Sequence, residues 1–361
     1  TPFFAAALLS KYMAAVFLLA AAVYSLRRLS WRTVAVHAVL AALPLALWIV
    51  ISGGWTVLAD VADVSRRAGL QTWSDPAHRL RSLLAFLGGC SLIALAWPLA
   101  IKRVKAGLAC LAAAAILFLP YFDLASVDLL DRMTGFIFSF GALYGLALLL
   151  ERSARGGRGW LLWLSWTAAT LFFTVNYWSV MSRTVLFCLP ALAMAWAEIL
   201  EQRMQLEPLR RLYVASFAVV AMVGLAAAAV DLRYANVQKE FAAEIAREYQ
   251  PARRPVWFVA HHGLRHYLLA AGARELDFAG EGWDQARPGD VIVRALTNKK
   301  APPPRGRFLA KVRRLRVDWP VPLRLISGFG GEGGFYSSVY GCLPYAVSLE
   351  PLEEFEVIER L

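Results

Sequence analysis

The stretch "LAAAAVDLRYANVQKEFAAEIAREYQ", residues 225–250, is where the chain changes solvent. Up to Val230 it completes an apolar run close to the roughly 20 residues that a helix needs to cross a bilayer. From Asn236 onward Val237, Phe241, Ile245 and Tyr249 recur every fourth position, which predicts an amphipathic helix with one buried stripe. Residues before Asp231 are therefore read against lipid, and those after it against water.

Upstream the lipid reading repeats. The 361-residue chain is 59% hydrophobic and only 18% charged, well above the apolar share of an ordinary soluble domain. Apolar runs at about 3–26, 33–52, 80–101, 105–121, 133–150, 159–178, 184–200 and 210–230 give eight candidate spans. The expected fold is an α-helical polytopic membrane protein over 1–232, followed by a soluble α/β domain over 233–361. The chain opens at Thr1 without the basic region and cleavage site of a signal peptide, and reads as a piece of a longer one.

Basic residues orient the bundle, because short cytoplasmic loops are enriched in Lys and Arg. Arg27, Arg28 and Arg32 follow the first run, and Lys102, Arg103 and Lys105 the third. Arg152, Arg155 and Arg158 follow the fifth, and Arg203, Arg210 and Arg211 the seventh. The 122–132 loop instead carries Asp123, Asp128 and Asp131 against Arg132, and the 177–183 loop has only Arg183. The long 53–79 loop is mixed: Arg66, Arg67 and Arg79 accompany Asp60, Asp63 and Asp75. The count places Ser153 inside, and Ser337 with the whole soluble domain outside. It also accounts for most of the +12 net charge, so that charge does not point to nucleic acid. Cys90, Cys110 and Cys188 fall in apolar runs and Cys342 stands alone, so no disulfide framework is implied.

In the soluble part "VWFVA" at 256–260 reads as a buried strand, "GLRHYLLAAG" at 263–272 as a helix closed by Gly272, and "GDVIVRAL" at 289–296 as a strand after a Pro-Gly turn. "RFLAKVRRLRVDW" at 307–319 alternates as a half-exposed strand does.

Several of these stretches resemble one family. "VWFVAHHGLRHYLLAAGARELD", "RPGDVIV" and "GEGGFYSSVYGCLP" are similar to the extracytoplasmic domain of bacterial membrane glycosyltransferases of the GT-C class, family 39, related to protein O-mannosyltransferases and lipid A aminoarabinose transferases. "LLSKYMAAVFLLAAAVYSL" at 8–26 resembles that family's Ser-Lys-Tyr helix, and "LPLALWIVISGGW" at 43–55 its Pro, Trp and Gly-Trp pattern. "SRTVLFCLPALAMAWA" at 182–197 resembles its Arg-Tyr-Leu-Leu-Pro helix, with Thr184 where tyrosine is usual. The resemblance implies a multi-pass protein of the bacterial plasma membrane. It would transfer a sugar from a polyprenyl-phosphate carrier to a lipid, glycan or protein acceptor on the outer face. It also implies that the general base is an aspartate in a loop preceding Thr1, so no catalytic residue is assigned within this chain.

A lipid-phosphate leaving group gains negative charge as the glycosidic bond breaks, so cations or a metal are needed near the outer face. Charge in or beside a span is costly and is by default functional. Lys11 and Arg183 are therefore the first substrate-binding candidates, followed by Arg66 and Arg67. Lys11 snorkelling to an interface and Arg183 capping its helix are the plainer alternatives. Asp60 and Asp63 are the carboxylates that a divalent ion would use, although their spacing alone specifies no site. His262 and His266 share a helix face at a zinc-like spacing, but no third ligand accompanies them, and the resemblance implies that this position shapes a domain edge. Gly334, Phe335 and Tyr336 are expected on the surface of a soluble lid over the membrane cavity. A non-catalytic lipid-glycan scaffold and a transporter are the alternative classes; a transporter predicts paired, Gly- or Pro-broken helices, which the sequence does not show.

Overall fold

The computed structural model describes residues 76–91, 104–118, 129–155, 158–176, 179–201, 207–251, 253–260, 262–277, 282–297, 311–327 and 331–360, with isolated positions 32 and 39. The chain divides into two compact units: Thr1–Val220 with Gly334–Pro344, and Ala221–Gly333 with Tyr345–Leu361.

The first unit is helical: α1 (Pro76–Cys90), α2 (Val104–Phe118), α3 (Leu129–Arg155), α4 (Arg158–Asn176), α5 (Ser182–Val185) and α6 (Leu189–Glu201). A 3₁₀ turn at Leu186–Cys188 joins α5 to α6. Pro190 explains this tightening, since its ring nitrogen has no proton to donate to the Leu186 carbonyl. Phe86, Leu87, Tyr144, Leu149, Val185, Leu192 and Trp196 form the core. α1 runs along α3 so closely that a Cβ at Gly88 would land on the Phe138 carbonyl. At the C-terminal end of α3 Ser153 Oγ donates to the Trp160 carbonyl, and Trp160 Nε1 donates to Glu198 Oε1 at 3.0 Å.

The count of eight spans is not supported. Among the described residues three helices are long and apolar enough to cross a membrane: Leu129–Arg155, Ser182–Ile199 and Arg210–Tyr249. The runs at 3–26 and 33–52 lie outside the described residues, apart from position 39, and α1 covers only the first half of 80–101. α2 has 15 residues, a rise of about 22 Å against a hydrocarbon core of about 30 Å. The apolar part of α4 is the short Trp160–Phe172.

The stretch that opened the sequence reading forms no break. The apolar run and the amphipathic segment are one helix, α7 (Glu207–Tyr249), and the division between units falls inside it. No Gly or Pro interrupts 225–249, so nothing stops the helix where its surroundings change.

The second unit is a mixed five-stranded sheet, order β2-β1-β3-β5-β4, built from β1 (Val256–Val259), β2 (Arg274–Glu275), β3 (Val291–Ala295), β4 (Lys311–Val317) and β5 (Glu353–Glu359). β1 is parallel to β2 and β3, while β5 is antiparallel to β3 and β4. Between β1 and β2 lies α8 (His262–Ala270), closed by Gly272 at φ +89°. Gly272 N–H donates to the Leu269 carbonyl and Ala273 N–H to that of Leu268, the double bond of a Schellman end. The predicted stripe packs as expected: Val237, Phe241 and Ile245 are buried, and the Phe241 ring stacks on Phe355 at 3.9 Å.

β5 is the strand that the sequence reading does not find, and it carries two buried carboxylates, Glu353 and Glu356. Glu356 lies opposite both Arg294 and Arg314, with ion pairs of 3.3 and 3.0 Å. Glu353 is fully buried and accepts from Tyr234 Oη on α7, from the Thr297 hydroxyl and N–H, and from Glu354 N–H. Burial outweighs these donors and pushes its carboxyl up to about 7 from the usual 4.5.

Two predictions follow from this architecture. For topology, Ser337 is buried and unsuitable as a reporter, whereas Lys239 and Ala154 are exposed. With the native cysteines replaced, Lys239→Cys in intact cells should react with a membrane-impermeant thiol reagent and Ala154→Cys should not; the reverse would refute the loop-charge orientation. The second concerns Glu353. A raised carboxyl means that the folded state holds a proton which the unfolded state has released, so this contribution is whole below about pH 4.5 and is lost as pH rises through about 7. Melting of the full chain should weaken between about pH 5 and 8 by up to about 3 kcal/mol, and Glu353→Gln should flatten that slope.

Candidate functional site

The helix ends that the loop-charge count assigns to the outer side converge in the first unit, and Gly334–Pro344 meets them there. Residues 179–182 and 335–338 bond as a short ladder. Ser338 N–H donates to the Val180 carbonyl at 2.8 Å, and Val180 N–H donates to Ser338 Oγ at 3.2 Å. Ser182 N–H, unpaired by its own helix because it begins α5, donates to the Phe335 carbonyl at 3.1 Å. Ser337 Oγ donates to Ser179 Oγ at 3.0 Å.

α1 brings its first turns to the same place. Pro76 opens the helix, where a missing N–H costs nothing. His78 Nε2 lies 3.1 Å from the Ser338 carbonyl, so that nitrogen carries the proton. One residue on, Arg79 Nη1 donates to the Val175 carbonyl in the last turn of α4 at 2.8 Å. Arg81 is buried at 3% exposure, as is Asp131 at 6% in the first turn of α3. The end of α2 joins through Phe118 and Leu343, since a Cβ at Gly135 would lie 2.6 Å from one and 3.1 Å from the other.

The site is therefore one end of a helical bundle carrying His78, Arg79 and Arg81 on α1, Asp131 on α3 and Arg183 on α5, with the serines 179, 182, 337 and 338 around them. Arg183 is exposed, and its Nε donates to Met181 Sδ at 3.2 Å. It stands in the first turn of the helical segment Ser182–Ile199, whose N-terminal dipole favours anions. Cations and hydroxyls at such an end suit a phosphate or another oxyanion.

Of the substrate-binding residues expected from sequence, Arg183 is placed here. Lys11, Arg66 and Arg67 lie outside the described residues, as do Asp60 and Asp63. Gly334, Phe335 and Tyr336, expected on a soluble lid, belong instead to the helical unit. His266 is exposed on α8 beside the Tyr267 ring. Among the described residues no group of three or more His, Cys, Asp and Glu side chains is placed to hold a metal ion. The sequence singles out neither His78, Arg81 nor the serine ladder, and Asp131 enters it only as a loop charge. Arg81 was there to be found, because it falls inside the apolar run 80–101, where a charge marks a functional position by default.

Comparison with protein-family models, with characterised proteins and with solved structures finds no match for this chain.

Removing one rung of the ladder should be measurable. Ser338→Ala leaves the buried Val180 N–H without its acceptor, a loss of about 1–3 kcal/mol. A thiol-reactive dye that reports exposure of buried Cys188 on heating should show a melting point lower by several degrees, with no change in the Glu353-dependent pH slope.

Proposed function

We propose that the protein is a membrane glycosyltransferase that takes a sugar from a polyprenyl-phosphate donor and passes it to a lipid, glycan or protein acceptor on the outer face of a bacterial plasma membrane. The observation that carries this reading is the buried Arg81 beside Arg79 and His78 on the first turns of α1, at the same bundle end as Arg183. Charge at such an end of an apolar bundle is by default functional, and guanidinium groups gathered there suit a phosphate at the headgroup level. Two of the stretches that resemble the transferase family, 182–197 and 331–344, meet at this end through the Ser182 to Phe335 bond.

In this reading the carrier phosphate lies against Arg183, with Arg79 and Arg81 behind it. As the glycosidic bond breaks, negative charge on the leaving phosphate rises, and guanidinium groups fixed in advance stabilise it more in the transition state than in the ground state. A guanidinium holds two phosphate oxygens in a fork that a lysine ammonium does not reproduce. The acceptor hydroxyl also needs a general base. A transporter or scaffold would bind a lipid-linked glycan at such an end without bond cleavage.

Arg183 is exposed, so its replacement leaves the ladder and core in place. In the full-length native protein, Arg183→Ala should lower sugar transfer from a polyprenyl-phosphate donor by roughly 2–4 kcal/mol of transition-state stabilisation, and Arg183→Lys should restore only part. Native mass spectrometry should show polyprenyl phosphate bound in preference to the neutral polyprenol, with the preference reduced by Arg183→Ala. Phosphate-selective binding without any transfer would favour the scaffold; equal binding of alcohol and phosphate would remove the donor site from this end.

A further inference from the structure

In the second unit a buried cation fixes two loops. Arg324 is among the largest fully buried side chains. Its guanidinium donates to the carbonyls of Val321 at 2.7 Å, Leu323 at 2.8 Å and Trp319 at 3.2 Å on one loop, and to that of Glu350 on the other. Its backbone exchanges two 2.9 Å bonds with Ala346. The loops 319–323 and 346–350 are thereby held side by side.

The knotted loops present apolar groups outward. Leu349 is 75% exposed and Val347 43%, and Pro320 and Pro322 are exposed as well. α7 gives this tip an address. The Arg233 guanidinium lies 5.9 Å over the Trp319 ring. Arg233 is three residues beyond Val230, where the apolar run ends, a rise of about 4–5 Å along the helix. Leu232 beside it is 65% exposed. The flanking charges are those of a headgroup layer: Arg233 pairs with Glu240, and Arg316 with Asp318.

We propose that Val347 and Leu349, with Pro320 and Pro322, form an interfacial anchor that dips into the headgroup and acyl boundary of the leaflet from which α7 emerges. The occupant of this surface is lipid. Apolar side chains on a rigid, charge-rimmed tip gain by leaving water at that depth without needing to span it, and a tryptophan beside them suits the interface. The inference rests on α7 crossing the membrane, and is independent of whether the first unit transfers sugar.

The test is depth-dependent quenching in the full chain. With the native cysteines replaced by alanine, Leu349→Cys, Val347→Cys and Asp284→Cys are labelled with an environment-sensitive fluorophore and reconstituted into phosphatidylcholine vesicles. Asp284 is 73% exposed on the same unit and serves as the aqueous control. Shallow doxyl lipids should quench the labels at 347 and 349 at least about two-fold more than the label at 284, and aqueous iodide should do the opposite. Equal quenching at all three positions overturns the proposal. So does protection of 347 and 349 from both quenchers, which would assign the tip to a protein partner or a second copy of the chain.

Discussion

The bond from Ser182 N–H to the Phe335 carbonyl expresses the constraint on which the helical unit depends. A helix that begins inside a bundle leaves backbone donors unpaired, and in apolar surroundings each of them costs free energy unless something nearby accepts. Here the acceptor is a segment more than 150 residues away in sequence. Residues 334–344 return to the helices and pair with 179–182 through main chain and serine hydroxyls. They also give His78 on α1 its carbonyl partner. Once that segment is in place, the ends of five helices are tied to one another, and the cations on α1 and α5 are held at that end of the bundle.

Much of the fold was legible because it obeys local rules. The four-residue stripe from Val237 to Tyr249, the apolar "VWFV" strand, the Gly272 helix end and the "VIVRA" strand all appear at or near their expected places. β5 was not legible. Its "EEFEVIE" sequence is too acidic to suggest a strand next to the sheet's centre, and its glutamates make sense only beside Arg294, Arg314, Thr297 and Tyr234, which lie far away in sequence. The continuity of α7 was not legible for the opposite reason: helix propensity is indifferent to whether lipid or water lies outside, so one helix carries both the apolar run and the amphipathic stripe.

The candidate site was legible in part. Arg183 stood out because it was isolated in a nearly uncharged loop. Arg79 reads from sequence only as a loop charge, and Arg81 is absorbed into an apolar run. Hydropathy averages over about 20 residues, so a single charge at the edge of a run disappears into the mean. The serine ladder carried no signal at all, since Ser179 and Ser337 gain their meaning only from each other. Gly334, Phe335 and Tyr336 read as part of a soluble lid because they follow the soluble strands in sequence, whereas the segment that contains them bonds to the helices.

The most direct measurement is a photocrosslink. A polyprenyl-phosphate analogue with a diazirine close to the phosphate would be irradiated with the protein in native membranes, and the adducts mapped by mass spectrometry. The account predicts adducts in the peptides containing 76–82, 179–183 and 334–340, competed by unmodified polyprenyl phosphate and not by polyprenol. Adducts confined to the exposed apolar face of α7, unchanged by either competitor, would mean that the carrier is seen only as bulk lipid and would contradict a phosphate site at this end of the bundle.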